Sequence, residues 1–294
     1  MTNILDRIRQ HPVPSESVGD SGVHYDTPPR IFELLLDRNM NYSSGVYLNG
    51  DEDLDSAQLV KMGKIASWLD LNPGARLLDV GCGWFGPALH MAEHYGAQVT
   101  GVTLSPVQRE YGLGWASRRG LGQQVQIDVS DVLAMPYPGE SFDAIMFLES
   151  IIHMPQKRQI FEACHTLLRP GGRLFVQESD YDRDSQNAKY RGDRGNREVD
   201  QAFGYTMDMV SAGRMQMEME EAGLVPYALE NISRDYVRTL SQWLQNLDTH
   251  AEEMRAISER AYLMLRRYLM IALGTYRSGN TVCHMITAEK RSRA

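Results

Sequence analysis

Leu77-Leu-Asp-Val-Gly-Cys-Gly-Trp-Phe-Gly86 is the stretch on which the fold turns. Arg76–Val80 reads as a buried strand, with Asp79 interrupting the apolar Leu77, Leu78 and Val80. It ends in a glycine turn, and Pro87 then opens a helix in the favoured first position. Gly81 and Gly83 let the backbone approach a ligand with no side chain in the way. In open α/β sheets, ligands bind at the carboxyl ends of strands, where the strand order reverses. The turn is not a phosphate loop, because no Gly-Lys-Ser/Thr follows. It also departs from the dinucleotide fingerprint, having an acid, Asp79, two positions ahead of the first glycine. That acid can orient the loop or meet an amino group.

Outward from this turn, strand and helix signals alternate. Gln98–Thr103 reads as a second strand, and Ser105-Pro106 as a cap and start for another helix. Val125–Val129, Phe142–Phe147 and Arg173–Glu178 supply further strands. A helix from Lys157 to Leu168 precedes the last of these, and Pro170-Gly-Gly172 turns the chain. Such alternation predicts a mainly parallel sheet covered on both faces. Towards the N-terminus, helical patterns run over Arg30–Arg38 and along Leu59, Met62, Ile65, Ala66 and Leu69, the latter capped by Asp55 or Ser56. Residues 1–30 are polar and proline-bearing, and a loose N-terminus is expected.

Past Glu178 the alternation stops. Asp180–Arg197 mixes both charges, and its cluster from Arg183 to Arg197 fits either a clamp for an anionic head group or a solvated lid. A methionine-rich helix is expected over Met207, Met209, Met215, Met217 and Met219, ending near Gly223. Val225–Ile232 reads as a sixth strand, Leu240–Arg277 as helix and Thr281–Glu289 as a closing strand. The expected organisation is an N-terminal helical segment over residues 1–70 and a core over 71–294, with a helical cap inserted at about 180–278.

Composition sets the outer limits. The chain has 294 residues and a net charge of -8, which argues against a general nucleic-acid partner. Three widely spaced cysteines, Cys82, Cys164 and Cys283, form neither a disulfide framework nor a metal cluster, so no metal is expected. No secretory leader is expected, because Met1–His11 lacks an apolar run, and no stable membrane insertion is expected, because no apolar run approaches the roughly 18–20 residues of a membrane span. A reducing, cytoplasmic setting is the default, and a homo-oligomer stays open. The 16 methionines are a surplus, suited to a soft core or to a plastic pocket wall.

The glycine turn with Asp79 resembles the first motif of the class I S-adenosylmethionine (SAM) methyltransferases. Phe142-Asp143 and Leu168-Arg-Pro-Gly-Gly172 match the same superfamily. A narrower resemblance runs nearly end to end. His24-Tyr-Asp26, Asn41-Tyr-Ser-Ser-Gly-Val-Tyr47, the Ala57-Gln58…Lys61 helix and Gly81-Cys-Gly-Trp84 look like the cyclopropane fatty acid and mycolic acid synthase family. Gly101-Val-Thr-Leu-Ser105 with Gln108, Trp243…Asn246-Leu247, Tyr268 and Tyr276-Arg277 extend the likeness. It implies an α/β, Rossmann-like class I methyltransferase sheet, mainly parallel with an antiparallel last strand, and SAM as cofactor. By resemblance, Tyr42 and Ser43 close over the methionine part and Gly81 and Gly83 line the cofactor, while Asp79 sits just before the turn. Thr103, Leu104 and Gln108 would hold the ribose, where most class I enzymes use an acid. Asp131 and Val132 would flank the adenine, although Asp131 also suits a plain turn carboxylate.

SAM carries an electrophilic methyl group, so much of catalysis is placement of the nucleophile. An alkene acceptor would further require a dry site, a negative charge or aromatic faces near a cation, and a base. The family binds bicarbonate as that base through a cysteine, a glutamate, a histidine and a late tyrosine. The glutamate matches Glu149 and the tyrosine Tyr268, but Ser44 and Gln177 stand at the cysteine and histidine positions. Changes at two of four anchors point away from ring closure and leave alkene methylation intact, with Glu149 as base or cation stabiliser. His153 suits a neutral-pH base and keeps O- or N-methylation of a specialised metabolite open. The expected catalytic residues are therefore Glu149, His153 and Tyr268. The expected acceptor is a small, apolar, isoprenoid-like molecule, walled by the methionine helix and Leu263–Leu273. Cyclopropane formation on an acyl chain, and a SAM-binding cyclase without methyl transfer, remain as alternatives.

Overall fold

The computed structural model describes residues 27–183 and 208–292. At its centre lies β1 (Arg76–Val80), with Leu77, Leu78 and Val80 almost wholly buried. Burial of successive residues means both faces of the strand are covered, as in the middle of a parallel sheet. Around it stand β2 (Gln98–Thr103), β3 (Val125–Val129), β4 (Phe142–Leu148), β5 (Leu168–Asp180), β6 (Val225–Asn231) and β7 (Val282–Glu289). They form one sheet in the order β3-β2-β1-β4-β5-β7-β6. β1 pairs in parallel with β2 and β4, while β7 runs antiparallel between β5 and β6. The strand order reverses between β1 and β4, which opens a crevice at their carboxyl ends.

Helices cover both faces. On one side lie α1 (Pro29–Leu35), α2 (Leu54–Trp68), α3 (Gly86–Tyr95) and α4 (Pro106–Arg118), sharing a core with α7 (Ser233–Thr249) and α8 (Ala251–Arg277). On the other lie α5 (Lys157–Leu167) and α6 (Ala212–Glu221). Local sequence explains the starts. Asp53, rather than the expected Asp55 or Ser56, accepts a hydrogen bond from Ser56 N at 2.8 Å and caps α2, whose first turn holds both of those residues. Ser105 accepts from Gln108 N at 3.2 Å and caps α4. Ile160, Phe161, Cys164 and Leu167 form the buried stripe of α5.

Two expectations change in detail. The helical stretch Leu240–Arg277 is two helices, starting at Ser233 and breaking at His250, with a further kink at Ser258. Neither glycine nor proline marks the break, so no sequence signal announced it. The methionine helix begins only at Ala212, capped by Ser211, and carries Met215 and Met219 into the core it shares with Ile160 and Phe161. It packs against α5, away from the crevice, so it does not wall the acceptor space. Met207, most of the Arg183–Arg197 cluster, residues 1–26 and the His24-Tyr-Asp26 motif lie outside the described residues. Among the described residues no helix is long and apolar enough to cross a membrane, and no cluster could hold a metal ion.

Candidate active site

A cavity of about 330 Å³ opens at the β1–β4 crevice. It is lined by Tyr42, Ser43, Asp79, Gly81, Gly83, Thr103, Leu104 and Gln108, and on its far side by Glu149, His153 and Tyr268. The sequence-predicted residues therefore converge, except two. Asp131 turns its carboxylate onto Leu133 N at 2.8 Å and caps a short 3-10 turn, and Val132 packs into the sheet core. Neither contributes to the cavity lining.

The glycine turn behaves as its sequence requires. Gly81 has φ +74°, and a Cβ there would lie 2.4 Å from Ser150 Cβ. Gly83 has φ +51°, but a Cβ there would meet nothing within 4 Å among the described residues. Beside the turn, Asp79 is 1% exposed, and neither of its carboxylate oxygens has a hydrogen-bond partner among the described residues. Burial pushes its carboxyl up to about 7. A buried carboxylate facing a cavity without a partner is costly unless a cation or donor meets it. An amino acid's ammonium group, as in the methionine part of SAM, fits that need. At the end of β2, Thr103 Oγ1 donates to Gln108 Oε1 at 2.7 Å and accepts from Ser105 N at 3.1 Å. This pair supplies neutral polar groups where a ribose would require them.

On the opposite wall Glu149 closes β4 with φ +53°, a left-handed conformation that a non-glycine residue holds only at a cost. Its backbone N donates to Gln177 O at 2.8 Å, which ties the turn to β5. Its side chain is enclosed by donors. Oε1 accepts from Ser44 N and from Gln177 Nε2, each at 2.8 Å, and Oε2 accepts from the Tyr236 hydroxyl. Gln177 Nε2 also donates to Ser44 O at 3.1 Å, so one amide bridges the Ser44 loop and the carboxylate. Burial raises the Glu149 carboxyl above its ordinary value, while these three donors and the charge of Lys61 oppose the rise.

Tyr268 is the tyrosine the resemblance marks as an anchor, yet the hydroxyl bonded to Glu149 is that of Tyr236. Tyr268 stands one step back, hydrogen-bonded to Tyr236. Tyr276 stacks on Tyr236 at 4.5 Å between ring centroids and shares a 2.6 Å hydrogen bond with Ser179 Oγ. Tyr236 was missed although it sits on the same helix as Trp243, seven positions ahead of a residue the resemblance did mark. His153 ends a 3-10 turn at the cavity wall, and burial with the nearby Lys157 charge lowers its pKa to about 4. Its imidazole is therefore neutral at pH 7. Of the methionines, Met40, Met154 and Met209 reach the cavity.

A seven-stranded sheet of this order, a glycine turn after β1 and a buried acid beside it define a class I SAM-dependent methyltransferase. The likeness to solved structures supports that fold. The cyclopropane synthase MmaA2 of Mycobacterium tuberculosis superposes with a TM-score of 0.85 at 23% identity, covering 93% of this chain and 98% of that one. The chain belongs to the Mycolic acid cyclopropane synthetase family, which it matches over residues 14–286. Relatives within reach include 27-O-demethylrifamycin SV methyltransferase of Amycolatopsis mediterranei, 30% identical over 91% of this chain and 92% of that protein. Cyclopropane-fatty-acyl-phospholipid synthase of Escherichia coli is 29% identical over 87% of this chain, but the match spans only 63% of that longer protein. The chain is thus a SAM-dependent enzyme of a family that holds both methyltransferases and cyclopropane synthases.

Proposed function

We propose that this enzyme methylates a carbon–carbon double bond of a small, lipid-like acceptor, such as an isoprenoid or a prenylated natural product, without closing a ring. Bound SAM supplies an electrophilic methyl group on a positively charged sulfur. In this reading Asp79 holds the ammonium of the cofactor's methionine part, Gly81 and Gly83 admit its backbone, and Thr103 with Gln108 holds the ribose. The N-terminal segment that carries Tyr42 and Ser43 covers it.

The observation that carries the reading is the setting of Glu149. A carboxylate with three neutral donors stands in a wall of tyrosine rings, Tyr236, Tyr268 and Tyr276, at the cavity. An alkene that gains an alkyl group carries positive charge on its neighbouring carbon and must then lose a proton. Aromatic faces and a fixed negative charge stabilise such a centre, and the same carboxylate can accept the proton. The bonds from Ser44 N and Gln177 Nε2 end on Glu149 itself, which supports methylation in preference to the family's bicarbonate-dependent ring closure.

A second reading, O-methylation of a specialised metabolite, is favoured by His153, a neutral imidazole in the wall of the same cavity. The rifamycin relative, matched over nearly its whole length, supports it too. Incubation with methyl-labelled SAM and a panel of isoprenoid alkenes and hydroxylated metabolites separates the two. The alkene reading requires a labelled carbon-bound methyl that Glu149→Gln abolishes and His153→Ala spares. Labelling of oxygen only, lost in His153→Ala, refutes it. Three free, buried cysteines support a reducing compartment, and we place the reaction in the cytoplasm.

A further inference from the structure

Lys61 is one of the largest fully buried side chains among the described residues. It projects from α2, and its Nζ donates to Ser43 Oγ at 2.7 Å. One turn earlier, Gln58 Nε2 donates to Ser43 O at 2.7 Å. The next residue, Ser44, presents its backbone N to Glu149 at 2.8 Å. Two side chains of α2 thus grip both sides of Ser43, and the residue after it reaches the carboxylate.

We propose that Lys61 is a positioning residue whose buried ammonium fixes the Ser43–Ser44 backbone against Glu149 and holds that carboxylate in its charged form. The charges around each group make this necessary. Glu149 is faced by Glu178 and by the phenols of Tyr42, Tyr236, Tyr268 and Tyr276, with Cys283 close by. Any negative charge among them opposes ionisation of Glu149, and Lys61 is the cation that counters them. Lys61 in turn is faced by Glu149, Asp37 and Cys283, and burial lowers its pKa to about 8. A buried ammonium with a single hydroxyl partner is expensive to keep charged. The attraction of Glu149 and Asp37 offsets that cost, so the two ends of the Ser43–Ser44 segment support each other's charge.

The role depends on Glu149 being the working carboxylate of the proposed reaction, but its test needs no turnover. Carbon-13 labelling of glutamate side chains, with Glu149→Gln to assign the signal, follows the Glu149 carboxyl by NMR across pH. In Lys61→Met its midpoint should rise, because an opposing charge is lost. Lys61→Arg should return it towards the wild-type value. A Glu149 midpoint that does not move in Lys61→Met overturns the proposal. Should Lys61→Met fail to fold, the coupling is read from the other side, since linkage is reciprocal. In Glu149→Gln the Lys61 ammonium should titrate at lower pH than in wild type, and an unchanged midpoint there overturns the proposal equally. Failure of the alkene reading would show in the labelling experiment and leave both titrations interpretable.

Discussion

Asp79 offers a direct test of how the cofactor is held. Its carboxyl stands at about 7 in the fold, because it is buried without a partner. In the unfolded chain it titrates near 3.9. At pH 7 about half the molecules therefore carry a protonated Asp79. An ammonium group bound against it favours the charged form, so binding S-adenosylhomocysteine should release about half a proton at pH 7. Release should approach one proton near pH 5.5 and vanish near pH 9. Affinity should rise with pH up to about 7 and then level off. Calorimetric titration in buffers of different ionisation enthalpy measures the proton count. Asp79→Asn removes the titrating group and should release none. It also forfeits a charge-assisted hydrogen bond of about 1.5–3 kcal/mol, which is roughly 10- to 150-fold in Kd.

The same residue makes an opposite prediction for the empty protein. A carboxyl whose folded pKa exceeds its unfolded one penalises the fold as pH rises. The penalty is absent below about pH 4, grows to about pH 7 and is complete above it. A displacement from 3.9 to about 7 corresponds to a cost on the order of 4 kcal/mol. Asp79→Asn should therefore raise the melting temperature at pH 8 and leave it unchanged at pH 4, while weakening the ligand at pH 8 and losing that disadvantage by pH 4, where wild-type Asp79 is itself protonated. Equal affinity of the two proteins for S-adenosylhomocysteine at pH 8, or no buffer-dependent proton release at pH 7, would refute the assignment of Asp79 to the ammonium.

Three further outcomes follow from single residues. Glu149→Gln should lower methyl transfer by about 10²–10⁴-fold while S-adenosylhomocysteine affinity, read by calorimetry, stays within a few-fold. Gly81→Ala should destabilise by about 2–4 kcal/mol in urea unfolding, since its Cβ would clash with Ser150 at a left-handed φ; Gly83→Ala, with open space around it, should cost only about 1 kcal/mol. Lys157→Met should break the buried contact of Lys157 Nζ with Asp208 Oδ2 at 2.8 Å and loosen Met209 at the cavity wall. Because the Asp208 side chain is partly exposed, the loss should fall below the ~3–5 kcal/mol of a fully buried pair, again read from urea unfolding.

How far the sequence reached depends on what each signal encodes. The glycine turn after β1 and the alternation to β5 were legible, because backbone conformation and burial on both faces restrict residue type at those positions. The break at His250 was not, because nothing in its neighbourhood forbids helix. The methionine surplus misled for a physical reason: an apolar stripe fits any dry surface, and Met215 and Met219 found theirs against Ile160 and Phe161 rather than at the cavity. Tyr236 was hidden in the same way. A tyrosine on an amphipathic helix is an ordinary core residue until the fold brings Glu149 to its hydroxyl.

The two altered anchors show why side-chain identity alone weighs a site poorly. Serine for cysteine at position 44 reads as a lost functional group, yet the atom that meets Glu149 is the backbone N of Ser44, which any residue but proline supplies. Glutamine at position 177 reads as a lost base, yet its amide donates at once to Glu149 Oε1 and to Ser44 O. Where a titrating imidazole could change the number of its donors with pH, this amide gives the same two donors throughout. With Tyr236 on the second oxygen, Glu149 has a set of donors that none of its neutral partners can withdraw. Its ionisation is then set by burial, which opposes it, by those three donors and by the charges around it, Lys61 favouring it and Glu178 opposing it; in the proposed reaction such a fixed carboxylate would meet the developing positive charge.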